Sequence, residues 1–123
     1  MKSKEPTIVK QLPPSASGWR RNSFLSEVKD LADHSFRPRL VVDMSAIREI
    51  EPDSIDLLLE CVEQMEHADG RVSLAAPSPE ATVIFELTRL TSVLDVFPSV
   101  SEAISDEVRH PVFAVNGPQT FAA

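Results

Sequence analysis

The carboxylates between residues 51 and 67 are the first side chains here whose spacing could do chemistry. The run Glu51-Pro52-Asp53-Ser54-Ile55-Asp56 reads as the opening of a helix. Asp53 followed by Asp56 resembles a capping box, a short polar cap with an acid three residues on. Pro52 suits the first turn or the position just before it. Glu51, Asp53 and Asp56 all favour the positive end of a helix. At about 100° per residue, Ile55, Leu58, Leu59, Val62 and Met65 fall on one face, the expected core stripe. Asp56, Glu60, Glu63 and His67 share a second face, where like charges repel by ~0.2–0.5 kcal/mol per pair. Leu57, Cys61 and Gln64 project roughly opposite the stripe. An exposed Leu57 beside an acidic row would make a docking edge for a basic partner; a solvated face with one stray leucine fits the same pattern. The candidate binding surface is therefore Glu51, Asp53, Ser54, Asp56, Leu57, Glu60 and Cys61, with no catalytic residue among them.

Other chemistry finds little support. His34, His67 and His110 are far apart and lack metal-ligand spacing. Cys61 and His67 lie six residues apart, on different helix faces, which disfavours a thiol nucleophile. A single cysteine excludes an internal disulfide and a closed cysteine metal site. The three glycines are scattered, so no phosphate-cradling loop forms. Trp19 beside Arg20-Arg21 is one aromatic and not a stacking platform; a tryptophan covering the sheet end is the simpler expectation. No cofactor or metal is expected.

The elements that must position these residues alternate. Thr7 to Leu12 has strand composition, and Pro13-Pro14 stops it. A helix is expected from Asn22 or Ser23, with Phe24, Leu25, Val28, Leu31 and Ala32 at helical spacing. Leu40-Val41-Val42 reads as a buried strand after Pro38. The acidic helix then runs to about Ala68 and ends at Asp69-Gly70, with Gly70 expected in the left-handed C-cap. Val72 to Ala76 is a strand. Pro77-Ser78-Pro79-Glu80 opens a helix carrying Val83, Ile84, Leu87 and Leu90. A short strand, Val93 to Phe97, and a helix, Val100 to about Glu107, complete the pattern. Strand-then-helix units favour an α/β fold, a mixed or parallel sheet with amphipathic helices mainly on one face. Residues 1–107 are expected to form the domain and 108–123 a flexible tail.

Composition narrows the partners. The chain has 123 residues, enough for one domain with a real core. Net charge is −7, which argues against nucleic acid as partner. The charge is uneven: residues 1–39 carry 8 basic and 4 acidic side chains, and residues 40–123 carry 4 and 15. No apolar run reaches the ~20 residues that span a bilayer. The first residues lack the apolar stretch of a signal peptide, so a cytoplasmic protein is expected.

From Leu40 to Ile104 the sequence resembles the STAS domain family, in the form of bacterial anti-sigma factor antagonists. Leu40-Val41-Val42-Asp43-Met44-Ser45-Ala46-Ile47-Arg48-Glu49-Ile50 is similar to that family's central strand and turn. Asp69-Gly70, Val72 to Ala76, Pro77-Ser78-Pro79-Glu80, Glu86-Leu87-Thr88-Arg89-Leu90 and Val96-Phe97-Pro98-Ser99-Val100-Ser101-Glu102-Ala103-Ile104 follow in family order. Residues 7–39 match less well, with Ser15-Ala16-Ser17-Gly18 where the family has Gly-x-Leu-Asp. The resemblance implies a STAS-like fold and a non-enzymatic module. Its partner would be an anti-sigma factor, typically a serine kinase, that phosphorylates the second hydroxyl residue of an Asp-Ser-Ser-Gly motif. In ungapped register Glu51 takes the place of the Asp, Pro52 of the first Ser, Asp53 of the phosphoacceptor and Ser54 of the Gly. The acceptor hydroxyl is thus replaced by a permanent carboxylate, and the kinase switch is expected to be lost or mimicked. A scaffold or ABC-transporter-associated use of the fold, a ligand-sensing use, and a homodimer remain as alternatives.

Overall fold

Leu40-Val41-Val42 lies at the centre of the molecule, and the rest is arranged to bury it from both sides. In the computed structural model, which describes residues 7–15 and 18–109, the elements alternate without exception. They are β1 (Thr7–Gln11), α1 (Gly18–His34), β2 (Arg39–Asp43), α2 (Pro52–Glu66), β3 (Arg71–Ala75), α3 (Pro79–Leu87), a single 3-10 turn (Leu90–Ser92), β4 (Asp95–Phe97) and α4 (Val100–Arg109). The four strands lie in chain order, β1-β2-β3-β4, and every pairing is parallel. Of the mixed and parallel sheets the sequence allowed, the described strands form the parallel one.

This order decides the layers. Each step from one parallel strand to the next needs a crossover, and such crossovers are almost always right-handed. Three steps in one direction therefore put α1, α2 and α3 on the same sheet face. Leu40, Val42, Val72 and Leu74 point into that face and pack with Phe24, Val28, Leu57, Leu58, Met65, Ala81 and Phe85. α4 follows the last strand and closes the other face, where Ala103 packs on Val41 and Ala75. With both faces covered, β2 needs an unbroken apolar run rather than an alternating one.

The helix at the centre of the candidate surface is turned relative to expectation. Leu57 and Cys61 are fully buried, and Leu59 is 43% exposed. α1 packs closely along the Leu57 and Cys61 flank of α2, while α3 makes few close backbone approaches to the other flank. The buried arc therefore runs through Ser54, Leu57, Leu58, Cys61 and Met65. Leu57 and Cys61 belong to the core and not to a docking edge. In α3, likewise, Ala81 and Phe85 are buried, while Val83 and Leu87 are exposed.

Several boundaries also move. α1 starts at Gly18, and Arg21, one turn in, is tied to Glu60 of α2 by an ion pair. Trp19 is 73% exposed and lies beside Arg20, whose guanidinium is 5.2 Å from the ring centre; it does not cover the sheet end. The left-handed residue after α2 is Asp69 (φ 57°), not Gly70. Gly70 is needed for a different reason: a Cβ there would sit 2.5 Å from the Pro38 carbonyl oxygen, which accepts a hydrogen bond from Arg71 N (3.0 Å). The expected strand over 93–97 shortens to Asp95–Phe97, and α4 extends to Arg109. Of the expected tail, 108–123, residues 108 and 109 continue α4, and the rest lies outside the described residues.

Two substitutions report on this packing. Leu57→Ala is expected to cost about 2–5 kcal/mol and Leu59→Ala under about 1 kcal/mol in urea unfolding. Gly70→Ala is expected to cost about 1–3 kcal/mol, since backbone must yield to the added methyl.

Candidate functional site

The tip leading into α2 is held from three directions. At the end of β2, the Asp43 carboxylate accepts from Ser45 N (3.0 Å), and Met44 N donates to the Ala75 carbonyl (2.9 Å). Ile47 N closes a turn onto the Met44 carbonyl (3.0 Å), and Ile47 and Ile50 rest against the core. The third tie comes from α3. Ser78 caps that helix by accepting from Ala81 N (3.1 Å), and its hydroxyl donates to the Arg48 carbonyl (2.7 Å). One serine thus ends one helix and pins the loop that starts another.

The chain then enters α2 with Glu51, not Asp53, as N-cap. Proline at N1 has its φ already set for a helix and lacks an N–H that would go unpaired, so the cap falls on the residue before it. The Glu51 carbonyl accepts from Ser54 N (2.9 Å) and Ile55 N (3.3 Å), while its carboxylate makes no capping bond. The capping box expected from Asp53 and Asp56 therefore does not form. Asp53 lies inside the first turn, exposed, where the helix dipole favours a negative group. Ser54 is the next residue and is only 3% exposed, its side chain turned into the core.

Of the seven residues expected to form the surface, the structure brings four to the outside. Glu51, Asp53 and Asp56 are exposed, and Glu60 is half-buried. Ser54, Leu57 and Cys61 point inward, because α1 and the sheet together cover that arc. Glu60 is engaged by Arg21 of α1, and Lys10 of β1 is engaged by Glu27. The acidic row is thus partly neutralised on the α1 side and open along Asp53, Asp56 and Glu63. α1 and α2 both follow parallel strands, so their first turns share one end of the sheet. Trp19, 73% exposed there, is an aromatic that hydrophobic spacing alone did not mark. Its signal was composition: the lone tryptophan beside two arginines.

The thiol beneath the site is buried. Burial pushes the Cys61 thiol up to about 12, with nearby Arg21 and Lys10 only partly offsetting it. Burial likewise lowers Lys10 from the usual lysine value. Among the described residues no three His, Cys, Asp or Glu side chains gather as metal ligands do. An open apolar cleft of about 550 Å³ lies between α3 and the end of β4, lined by Pro77, Pro79, Thr82, Val96, Phe97 and Pro98. Its one hydroxyl, on Thr82, already donates to the Ser78 carbonyl (3.0 Å), and no charged side chain lines it. No helix among the described residues is long and apolar enough to cross a membrane.

The Cys61 thiol makes a measurable contribution to pH dependence. An unfolded thiol ionises near 9.0, while the native one holds its proton to about 12. The unfolded state thus binds fewer protons in that window, and stability falls as pH rises through it. Wild type is expected to lose about 1 kcal/mol more than Cys61→Ala between pH 8 and 10 in parallel urea melts. Lys10 contributes in the opposite direction in both proteins, somewhat more in Cys61→Ala, where the thiol that raises its pKa is gone. Native Cys61 is also expected to resist thiol reagents at pH 8 until urea unfolds the chain. Ser78→Ala is expected to lower stability by about 1–2 kcal/mol, since a cap and a loop tie go together.

Comparison with known proteins adds to this geometry. A family model for the STAS domain matches residues 14–103. No curated protein sequence matches the chain. Among solved structures, an anti-sigma-factor antagonist (STAS) domain protein from Planctomyces limnophilus is similar, with TM-score 0.67 and 14% identity over 80% of this chain and 87% of that one. A Thermotoga maritima protein, TM1081, described as a candidate anti-sigma factor antagonist, is similar in crystal form, with TM-score 0.67 and 18% identity over 85% and 88%. The NMR structure of TM1081 gives TM-score 0.71 and 17% identity over 85% and 82%.

Proposed function

From the premise that this chain belongs to the STAS domain family, we propose that it is a non-enzymatic regulatory binding module of the anti-sigma factor antagonist type, without a phosphorylation switch at the start of α2. Its contact surface is the exposed tip and outer side of that helix: Glu51, Asp53, Asp56 and the partly paired Glu60. Leu57, Cys61 and Ser54 support it from beneath. The partner is an anti-sigma factor, of the serine kinase kind or a related regulator, meeting the module in the cytoplasm.

One observation carries this reading. In the family's motif register, position 53 is the phosphoacceptor, and here it is an exposed aspartate in the first helical turn. The neighbouring hydroxyl, Ser54, is 3% exposed, so it offers a kinase no accessible acceptor. A phosphoryl group brings about −1.5 to −2 charge and three acceptor oxygens. A carboxylate brings one charge and two oxygens, already accommodated by the helix N-terminus. The smaller, permanent charge is compatible with constant binding, where a phosphoryl group would expel the partner.

The test is affinity capture with wild type and Asp53→Ser from the native cell, followed by incubation with the captured regulator and ATP. Wild type is expected to retain an anti-sigma-type regulator and to take up no phosphate at 53 or 54. Asp53→Ser is expected to become phosphorylated and then to bind at least tenfold more weakly. Phosphate on wild-type Ser54 would overturn the loss of the switch. Capture by Asp53→Ser alone would show that Asp53 mimics the phosphorylated state. Recovery of a membrane-transporter subunit instead would transfer the module to a different system.

A further inference from the structure

We propose that the furrow between α2 and α3 receives an amphipathic, basic helix of two to three turns from the regulator. This rests on the binding-module reading above and adds where and in what form the partner is held. The two flanks can be assigned from helix geometry. Glu60 marks the α1 side of α2 by its pairing with Arg21. Ile55, Leu59 and Val62 lie on the opposite flank, about 100° or more round the helix. In α3, Thr82 faces β4, where it lines the cleft with Val96 and Phe97. Ile84 and Leu87 lie on the other flank, toward α2. α2 and α3 cover the same sheet face but approach each other little, unlike α1 and α2.

The furrow is therefore apolar and open. Leu59 is 43% exposed and Leu87 is 74% exposed, with Ile55, Val62 and Ile84 half-buried below them. Its walls carry only one sign of charge. α2 contains five carboxylates and α3 two, and neither helix contains a lysine or arginine. Glu66 and Glu80 stand on the flanks that line the furrow itself. Desolvating the leucines favours an apolar stripe, and the carboxylate walls favour Lys or Arg on either side of it. A helix supplies both at once, with anchors at i, i+3, i+4 and i+7. The shorter wall, α3, has nine residues, or about 13 Å, which sets the length of the bound segment.

The probe is a synthetic 14-residue peptide of leucine and lysine with leucines at that spacing, titrated into 15N-labelled full-length protein. A peptide of the same composition with the leucines scattered serves as control. Shifts are expected at Leu59, Val62, Ile84 and Leu87, with the scattered peptide at least tenfold weaker. Leu59→Gln and Leu87→Gln, both at exposed positions and so compatible with folding, are each expected to weaken binding at least tenfold. Equal binding of the two peptides, or shifts confined to α1 or to Asp53, would overturn the inference. So would concentration-dependent broadening of the same resonances without peptide, which would make a second copy of this chain the occupant. The captured regulator is run against the same leucine variants. Full retention there overturns the furrow and leaves the Asp53 reading standing. Absence of any regulator in the wild-type capture overturns that reading alone, and the peptide titration still decides the furrow.

Discussion

Strand order is the constraint from which the rest of this molecule follows. With parallel strands in chain sequence, each connection must cross over, and handedness sends the first three helices to one face. Their first turns then gather at the end of the sheet where the strands finish. That places the start of α1, the Arg48–Glu51 loop, the tip of α2 and the cap of α3 side by side, though they are dispersed along the chain. Ser78 exploits the arrangement by bonding both its own helix and the Arg48 carbonyl.

The tip that leads into α2 is tied from several sides at once. The Asp43, Ala75 and Ser78 ties, together with Ile47 and Ile50, hold the α2 entrance. The one thiol is buried and holds its proton to about 12. Along α2 itself the exposed charge is acidic at Asp53, Asp56 and Glu63, whereas the α1 side is stitched by the Arg21–Glu60 and Lys10–Glu27 pairs. The acidic face is thus divided into a part paired within the chain and a part exposed to solvent. That division distinguishes Glu60 from Asp56 and Glu63, which helical projection alone treated alike.

Some of this is legible in the sequence alone. The alternation of elements, the buried central strand and the helix spans could be read from periodicity and from Pro, Gly and Ser punctuation, within a few residues. The family resemblance implies that Asp53 stands where that family carries its phosphoacceptor. What failed were choices that local chemistry leaves open. Asp53 looks like a cap, but Pro52 forces the cap one residue before itself. Asp69-Gly70 looks like a glycine C-cap, yet Asp69 takes the left-handed conformation, while Gly70 is demanded by the Pro38 carbonyl from a distant loop.

The orientation of α2 shows the division most clearly. Its sequence determines an amphipathic helix with leucines on both sides of Leu58, an acidic outer row and an acid-rich first turn. Those features follow from residue type and the helical repeat, which are local. Whether Leu57 or Leu59 is buried depends on which neighbouring helix comes close, and that is a property of the assembled layers. α1 covers the Leu57 and Cys61 flank; α3 stands away from Leu59. A helical pattern records how much apolar surface must be covered, but only tertiary packing decides which part of it another helix of the same chain covers.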